Sequence, residues 1–298
     1  MLTAIALVGA VFHATQANAA EPTFALDSEF LQIPADSPFA ACSACALDRQ
    51  GQLYVLHRGK VPIRCFGTDG KLVRAWGDDV FGTGHGLRVD PEGNVWATDI
   101  KQHQVFKFSP EGKLLLAVGK AGQAGDDAEH FDRPTDIAFG PKGEFYVTDG
   151  YGNNRVAQFD ARGVLIRQWG KKGHAAGEFN LPHAILRDAA GRLYVGDREN
   201  DRVQVFDSEG KWLETWPGFA PYGLAFGPEG TFYVADVRAS QILQIDSHGK
   251  VFARWGRKGA ARGEFGAPHM LAADGKGRLY VAEVDNKRVQ RMTFGEGK

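Results

Sequence analysis

The chain has 298 residues, a formal net charge of −1, 43% apolar residues and 38 glycines. This is enough chain for one large domain or two ordinary ones. Near-zero charge, with no local block of lysine and arginine, leaves no electrostatic footprint for nucleic acid.

In chain order, the first feature is an apolar run from Leu2 to Phe12, too short to span a bilayer. Ala17-Asn18-Ala19-Ala20 follows, the small-residue pattern that signal peptidase accepts, although no Lys or Arg precedes the run. Residues 1–20 are therefore expected to be a secretory signal, with a mature domain over 21–298 that has no transmembrane segment. The mature protein is expected to be exported, either periplasmic or secreted. Cys42, Cys45 and Cys65 lie near its start. They are read as small buried residues with at most one disulfide, because a lone Cys-x-x-Cys is half a zinc site without a second half.

The rest of the chain is periodic. His85 to Gly119 contains a short apolar strand and a turn at Asp90-Pro91-Glu92-Gly93-Asn94. The strands Val95-Trp96-Ala97-Thr98-Asp99 and Gln104-Val105-Phe106-Lys107-Phe108 follow, with a second turn at Ser109-Pro110-Glu111-Gly112 and a fourth strand closing at Val118. The plan returns at Phe145–Asp149, Leu193–Asp197, Phe232–Asp236 and Leu279–Glu283, and a degenerate first copy runs from Ser43 to Trp76. Six copies of four short strands, at a period of roughly 45 residues, predict an all-β fold: a six-bladed β-propeller. The last copy is short, and either Thr23–Leu26 or Phe30–Ile33 is expected to supply its outer strand. The repeat resembles the NHL family, most clearly over Pro134 to Gly170.

In a propeller the first strand of each blade lines the central channel. Its start and the end of the second strand share one mouth. Five residues before the first-strand Asp or its equivalent, the six copies carry Ser43, His85, Thr135, His183, Tyr222 and His269. Histidine in alternate blades puts three imidazoles around the axis with approximate threefold symmetry. Two readings are open: ring-lining histidines bonded to backbone or water, or a three-histidine zinc site with an open fourth direction. The common register favours the second. His57, His103, His130, His174 and His248 share no register and are read as surface or local hydrogen-bonding groups.

Second strands two to six end in Asp99, Asp149, Asp197, Asp236 and Glu283, which is read as a structural repeat element. Beside this acid register, Arg58 in blade one and Arg198 in blade four approach the histidine mouth, with Tyr151 in blade three.

Gly150-Tyr151-Gly152-Asn153-Asn154-Arg155 and Asp197-Arg198-Glu199-Asn200 go beyond the generic repeat. With Leu56-His57-Arg58-Gly59 they resemble the peptidyl-α-hydroxyglycine α-amidating lyases (peptidylamidoglycolate lyases), over nearly the whole mature chain. The resemblance implies a catalytic zinc on His85, His183 and His269, Tyr151 as base, and Arg58 and Arg198 around it. The implied reaction is cleavage of an α-hydroxyglycine N–C bond to an amide and glyoxylate, acting as a monomer on a small molecule or peptide with a hydroxyglycine-like end. Adjacent guanidinium charge favours a phenolate and suits a carboxylate ligand.

The resemblance also implies calcium, on the backbone carbonyls matching Cys45 and Leu87 and on a carboxylate after the third histidine. That last position is Met270, and a thioether is a poor ligand for a hard cation. Gly152 and Val205 stand where family disulfides place cysteines. No copper-binding monooxygenase half is encoded, so a hydroxyglycine substrate is expected to be supplied by another protein. The alternatives are a non-catalytic NHL propeller binding a protein or glycan, or another propeller enzyme such as a lactonase or a streptogramin-lyase-like protein. Lactonase propellers favour carboxylate-ligated calcium, which three ring histidines do not suit.

Overall fold

A computed structural model describes residues 24–294; the expected signal segment, 1–20, lies outside them. Six four-stranded antiparallel sheets form the blades. Blade one contains β2 (Cys42–Leu47), β3 (Leu53–His57), β4 (Ile63–Phe66) and β5 (Leu72–Trp76). Blade two contains β6 (Gly84–Val89), β7 (Val95–Asp99), β8 (Gln104–Phe108) and β9 (Leu114–Val118). Blade three contains β10 (Asp136–Phe139), β11 (Phe145–Asp149), β12 (Arg155–Phe159) and β13 (Leu165–Trp169). Blade four contains β14 (Pro182–Arg187), β15 (Leu193–Asp197), β16 (Arg202–Phe206) and β17 (Trp212–Pro217). Blade five contains β18 (Pro221–Phe226), β19 (Phe232–Asp236), β20 (Gln241–Ile245) and β21 (Val251–Trp255). Blade six combines β22 (Pro268–Ala273), β23 (Arg278–Glu283) and β24 (Arg288–Phe294) with β1 (Phe24–Asp27) from the other end of the chain.

The first of the two proposed closures is therefore the one formed. β1 pairs antiparallel with β24, Phe24 opposite Phe294 and Asp27 opposite Arg291. Residues 30–33 instead lie between blades six and one, where Phe30 packs on Tyr280 and Gln32 bridges Lys71. Closure of this kind covers a strand edge that would otherwise stay unpaired.

Every second strand is sandwiched between neighbouring blades, which is why β7, β11, β15 and β19 are buried at every position. Outer strands such as β13 alternate, with one face to the neighbour and one to solvent. Aromatic side chains fill the wedges between blades. Tyr194 of blade four lies 4.7 Å from Phe232 of blade five, and Trp96 of blade two lies 4.7 Å from Phe145 of blade three. Gly210 lets a blade-four turn sit on blade three: at φ +86 its Cβ would meet the Trp169 ring at 2.5 Å.

The acid register organises the loops at the histidine mouth. Asp99 accepts from Gly82 N and Thr83 N, Asp149 from Asp132 N, Asp197 from Asn180 N and Glu283 from Gly266 N. Each tie holds the segment entering that blade's first strand. The asparagine and arginine of the repeat complete the cluster: Asn200 and Arg202 on Asp197, Asn286 and Arg288 on Glu283. These acids are structural, as their repetition predicted. The three cysteines are buried free thiols.

Blade one has His57 in place of the acid, and here the structure sharpens the sequence reading. His57 is fully buried, accepting Ala40 N at Nδ1 while Nε2 has no partner. Burial, assisted by the Arg64 charge, holds its pKa down to about 4. The unfolded chain binds this proton near pH 6.5 and the folded protein near pH 4, so the associated stability is present above 6.5 and lost as pH falls between the two values. His57→Gln is expected to make unfolding free energy less pH-dependent between pH 6.5 and 5, by up to about 1.4 kcal/mol per pH unit. Chemical denaturation across that window checks this; an unchanged slope contradicts a buried neutral His57.

Candidate metal centre

Local backbone geometry turns the ring residues inward. In blades two, four and six, pairing between the first and second strands slips at the histidine, between Gly84 and Leu87, Pro182 and Ala184, and Pro268 and Leu271. A bulge leaves one residue unpaired and re-aims its side chain, here toward the axis. Leu181 (φ +70) and Ala267 (φ +52), two positions before His183 and His269, occupy the left-handed region that non-glycine residues rarely adopt.

His85, His183 and His269 form a nearly equilateral triangle, with ring centroids 4.7, 4.7 and 4.8 Å apart. One ligand nitrogen from each lies within 4.8 Å of the others. The orientation comes from the intervening blades. His85 Nδ1 lies 2.8 Å from the Thr135 carbonyl, His183 Nδ1 2.6 Å from the Tyr222 carbonyl, and His269 Nδ1 2.6 Å from the Ser43 carbonyl. A carbonyl can only accept, so each Nδ1 carries the hydrogen and each Nε2 keeps its lone pair. The acceptors are the ring residues of blades three, five and one, so histidines and their acceptors alternate around the ring. Ser43 and Thr135 extend the ring: their hydroxyls donate to the Gly84 and Pro182 carbonyls, at 3.1 and 2.9 Å.

The rings are held neutral. Burial pushes His85 down to about 3, with Arg58 and Arg198 adding to the effect. Burial first, then the neighbouring rings and arginines, pushes His183 and His269 well below the ordinary histidine value. Three neutral imidazoles, each with its second nitrogen committed to a carbonyl, match what a three-histidine metal site requires.

Tyr151 stands over this triangle. Gly150 permits the approach, because a Cβ there would lie 2.0 Å from the Pro182 carbonyl oxygen. Tyr151 Oη is 3.2 Å from His85 Nε2 and 3.4 Å from His183 Nε2. Arg198, in the 3₁₀ turn Arg198–Asn200, donates from Nη1 to that hydroxyl at 3.4 Å, and its Nε pairs with Glu199 at 2.7 Å. Arg58 is more exposed and donates from Nε to the Gly84 carbonyl at 3.3 Å, one residue before His85. Neither arginine pairs with the acid register.

Sequence reasoning placed Tyr222 in the ring without a role. Its ring stacks on His183, 4.6 Å away and 17° from parallel, and carries the Arg198 guanidinium 4.5 Å above it. The only sequence signal was an aromatic at a ring position. The oxygen set inferred for calcium fares differently: Met270 is buried in an apolar cluster with Ala44 and Leu87, and no carboxylate follows His269. The residues fit a nitrogen-ligated metal at the triangle and do not fit calcium beneath it.

Residues 131–159 match the NHL repeat family profile. The chain is 34% identical to peptidyl-glycine alpha-amidating monooxygenase B of Xenopus laevis, over 75% of this chain and 27% of that protein, so it spans about a quarter of that relative's length. It is 34% identical to peptidyl-alpha-hydroxyglycine alpha-amidating lyase 2 of Drosophila melanogaster, over 72% of this chain and 55% of that protein. With NHL repeat-containing protein 3 of Mus musculus it shares 33% identity over 91% of this chain and 84% of that protein. Solved structures of similar shape include a gluconolactonase from Xanthomonas campestris, with TM-score 0.70, 14% identity, and coverage of 95% of this chain and 94% of that one. Virginiamycin B lyase from Staphylococcus aureus gives TM-score 0.63 and 12% identity over 92% and 100% of the two chains; both likenesses concern the fold alone. The chain belongs to the NHL-repeat β-propeller family, among relatives that include the peptidyl-α-hydroxyglycine α-amidating lyases.

Proposed function

We propose that the protein is a zinc-dependent lyase that cleaves the N–C bond of an α-hydroxyglycine-type substrate to an amide and glyoxylate. The observation that carries this is the convergence of three neutral, carbonyl-oriented imidazoles with the Tyr151 hydroxyl and two guanidinium groups at one mouth of the channel. Sequence identity to named amidating lyases supports it. On this reading His85, His183 and His269 hold the ion through Nε2. When bound, zinc supplies Lewis acidity that lowers the pKa of a hydroxyl in its open position.

The chain's own residues do the rest. Arg58 and Arg198 attract the substrate carboxylate. Arg198 Nε is engaged by Glu199, and its Nη1 faces Tyr151. This fixes the substrate hydroxyl beside Tyr151 Oη. Tyr151 Oη takes the hydroxyl proton; the O–H electron pair becomes the aldehyde C=O of glyoxylate as the N–C bond breaks. The N–C pair stays on the amide nitrogen, which takes a proton back from Tyr151 Oη. Atoms and electrons balance without any redox partner. We place the protein outside the cytoplasm on the strength of the apolar run Leu2–Phe12 and the small-residue stretch Ala17–Ala20 that follows it.

Incubation of zinc-loaded protein with α-hydroxyhippurate is expected to release glyoxylate, and chelation to stop the release. Tyr151→Phe is expected to keep its zinc and lose roughly 10²–10⁴-fold in kcat, the usual contribution of a positioned proton-transfer group. Absence of zinc-dependent release in metal-replete protein overturns the lyase reading and favours a binding propeller.

Tyr222→Leu tests the platform under Arg198. Its loss is expected to raise KM about tenfold with zinc retained, because the cation–π contact that places the guanidinium is removed. An unchanged KM makes Tyr222 a packing residue only.

A further inference from the structure

The position immediately after each ring residue is a second register, one step deeper in the channel. Blades one to six carry Ala44, Gly86, Asp136, Ala184, Gly223 and Met270 there. Strand pairing confirms the alignment: Ala44 faces Leu56, Asp136 faces Thr148, Ala184 faces Gly196 and Gly223 faces Ala235, each one residue before the end of the second strand's acid register. The one ionisable residue of the six is Asp136, in blade three, directly across the ring from Met270 in blade six.

The Asp136 side chain is fully buried and already has its cation. Arg88 of blade two donates Nε to Oδ1 at 2.9 Å and Nη2 to Oδ2 at 2.6 Å, a two-pronged contact. Oδ2 also accepts the Ile185 amide of blade four at 3.0 Å, and Arg88 Nη2 reaches the Leu224 carbonyl of blade five at 3.5 Å. One guanidinium–carboxylate pair thus links four consecutive blades across the channel. The remaining side is apolar. Met270 packs with Ala44 and Leu87, and the Cys45 thiol points to the Met270 and Tyr280 carbonyls.

Arg88 also lines a cavity of about 620 Å³ at the outgoing ends of the first strands, which none of the three histidines borders.

We propose that the Arg88 guanidinium is a built-in cation that ties the blades together at the depth in the ring where the family resemblance places calcium, so that the fold is calcium-independent. A doubly charged ion beside this guanidinium finds no free carboxylate at that depth, whereas six to eight oxygen ligands are its ordinary requirement. The inference concerns the fold and stands whether or not the protein is a lyase.

The test is thermal unfolding of the full chain with zinc held constant, in calcium and in the calcium-selective chelator EGTA, beside equilibrium dialysis against calcium alone. The expected result is a midpoint unchanged to within about 1 °C and no stoichiometric calcium. A midpoint several degrees higher in calcium, or one calcium per chain, overturns the proposal. Arg88→Met, which strands Asp136, is expected to lower the midpoint by roughly 10 °C with or without calcium; an unchanged midpoint also overturns it. If that variant does not fold, the two wild-type measurements still decide.

Discussion

One hydrogen bond, used three times, sets the character of this propeller: an imidazole N–H on an even blade donating to the ring-residue carbonyl of the next odd blade. It joins neighbouring blades at the narrowest part of the ring, where a buried donor without an acceptor would be costly. It also fixes the tautomer, so three lone pairs face one point. Structure and chemistry are inseparable here, because the same bond that seats a blade prepares a ligand. A threefold set of imidazoles on a sixfold frame follows directly, with alternate blades supplying rings and acceptors.

Two sets of charged groups surround that centre, and their partners separate their tasks. The acids ending the second strands are consumed by backbone amides and by the repeat's own asparagine and arginine. They define where each loop enters the channel. Arg58 and Arg198 stand beside this register yet bond to none of its five acids; one reaches a carbonyl next to His85, the other the hydroxyl of Tyr151 and the neighbouring Glu199. Tyr222 connects Arg198 to the histidine triangle, with His183 beneath it and Arg198 above. Deeper in the channel, the Arg88–Asp136 pair provides a separate electrostatic centre whose charge is internally balanced.

Much of this was legible in the sequence because a propeller converts register into position. The period fixed the blades, the turn residues fixed the strand ends to within a residue or two, and one register gave the three histidines their common axis. The orienting acceptors were not legible, since a backbone carbonyl leaves no mark on residue type. Nor was the choice of closing strand: Phe24–Asp27 and Phe30–Ile33 have similar patterns, and only the reach of the chain across blade six distinguishes them. His57 looked unremarkable because it is the lone exception to the acid register, and an exception has no period. Arg88 and Asp136 were hidden for another reason: they lie at different depths in different blades, so no single register contains both.

The likeness to gluconolactonase and virginiamycin B lyase shows how widely this frame is shared, and the frame alone does not select a reaction. In the proposed function the selection falls to the three imidazole nitrogens with a phenol and guanidinium groups above them. Metal analysis of the purified protein, beside His85→Ala, His183→Ala and His269→Ala, tests this most directly. The account predicts about one zinc per chain in the wild type and its loss in each variant. A wild type without metal after zinc loading, or equal metal in all four proteins, contradicts it.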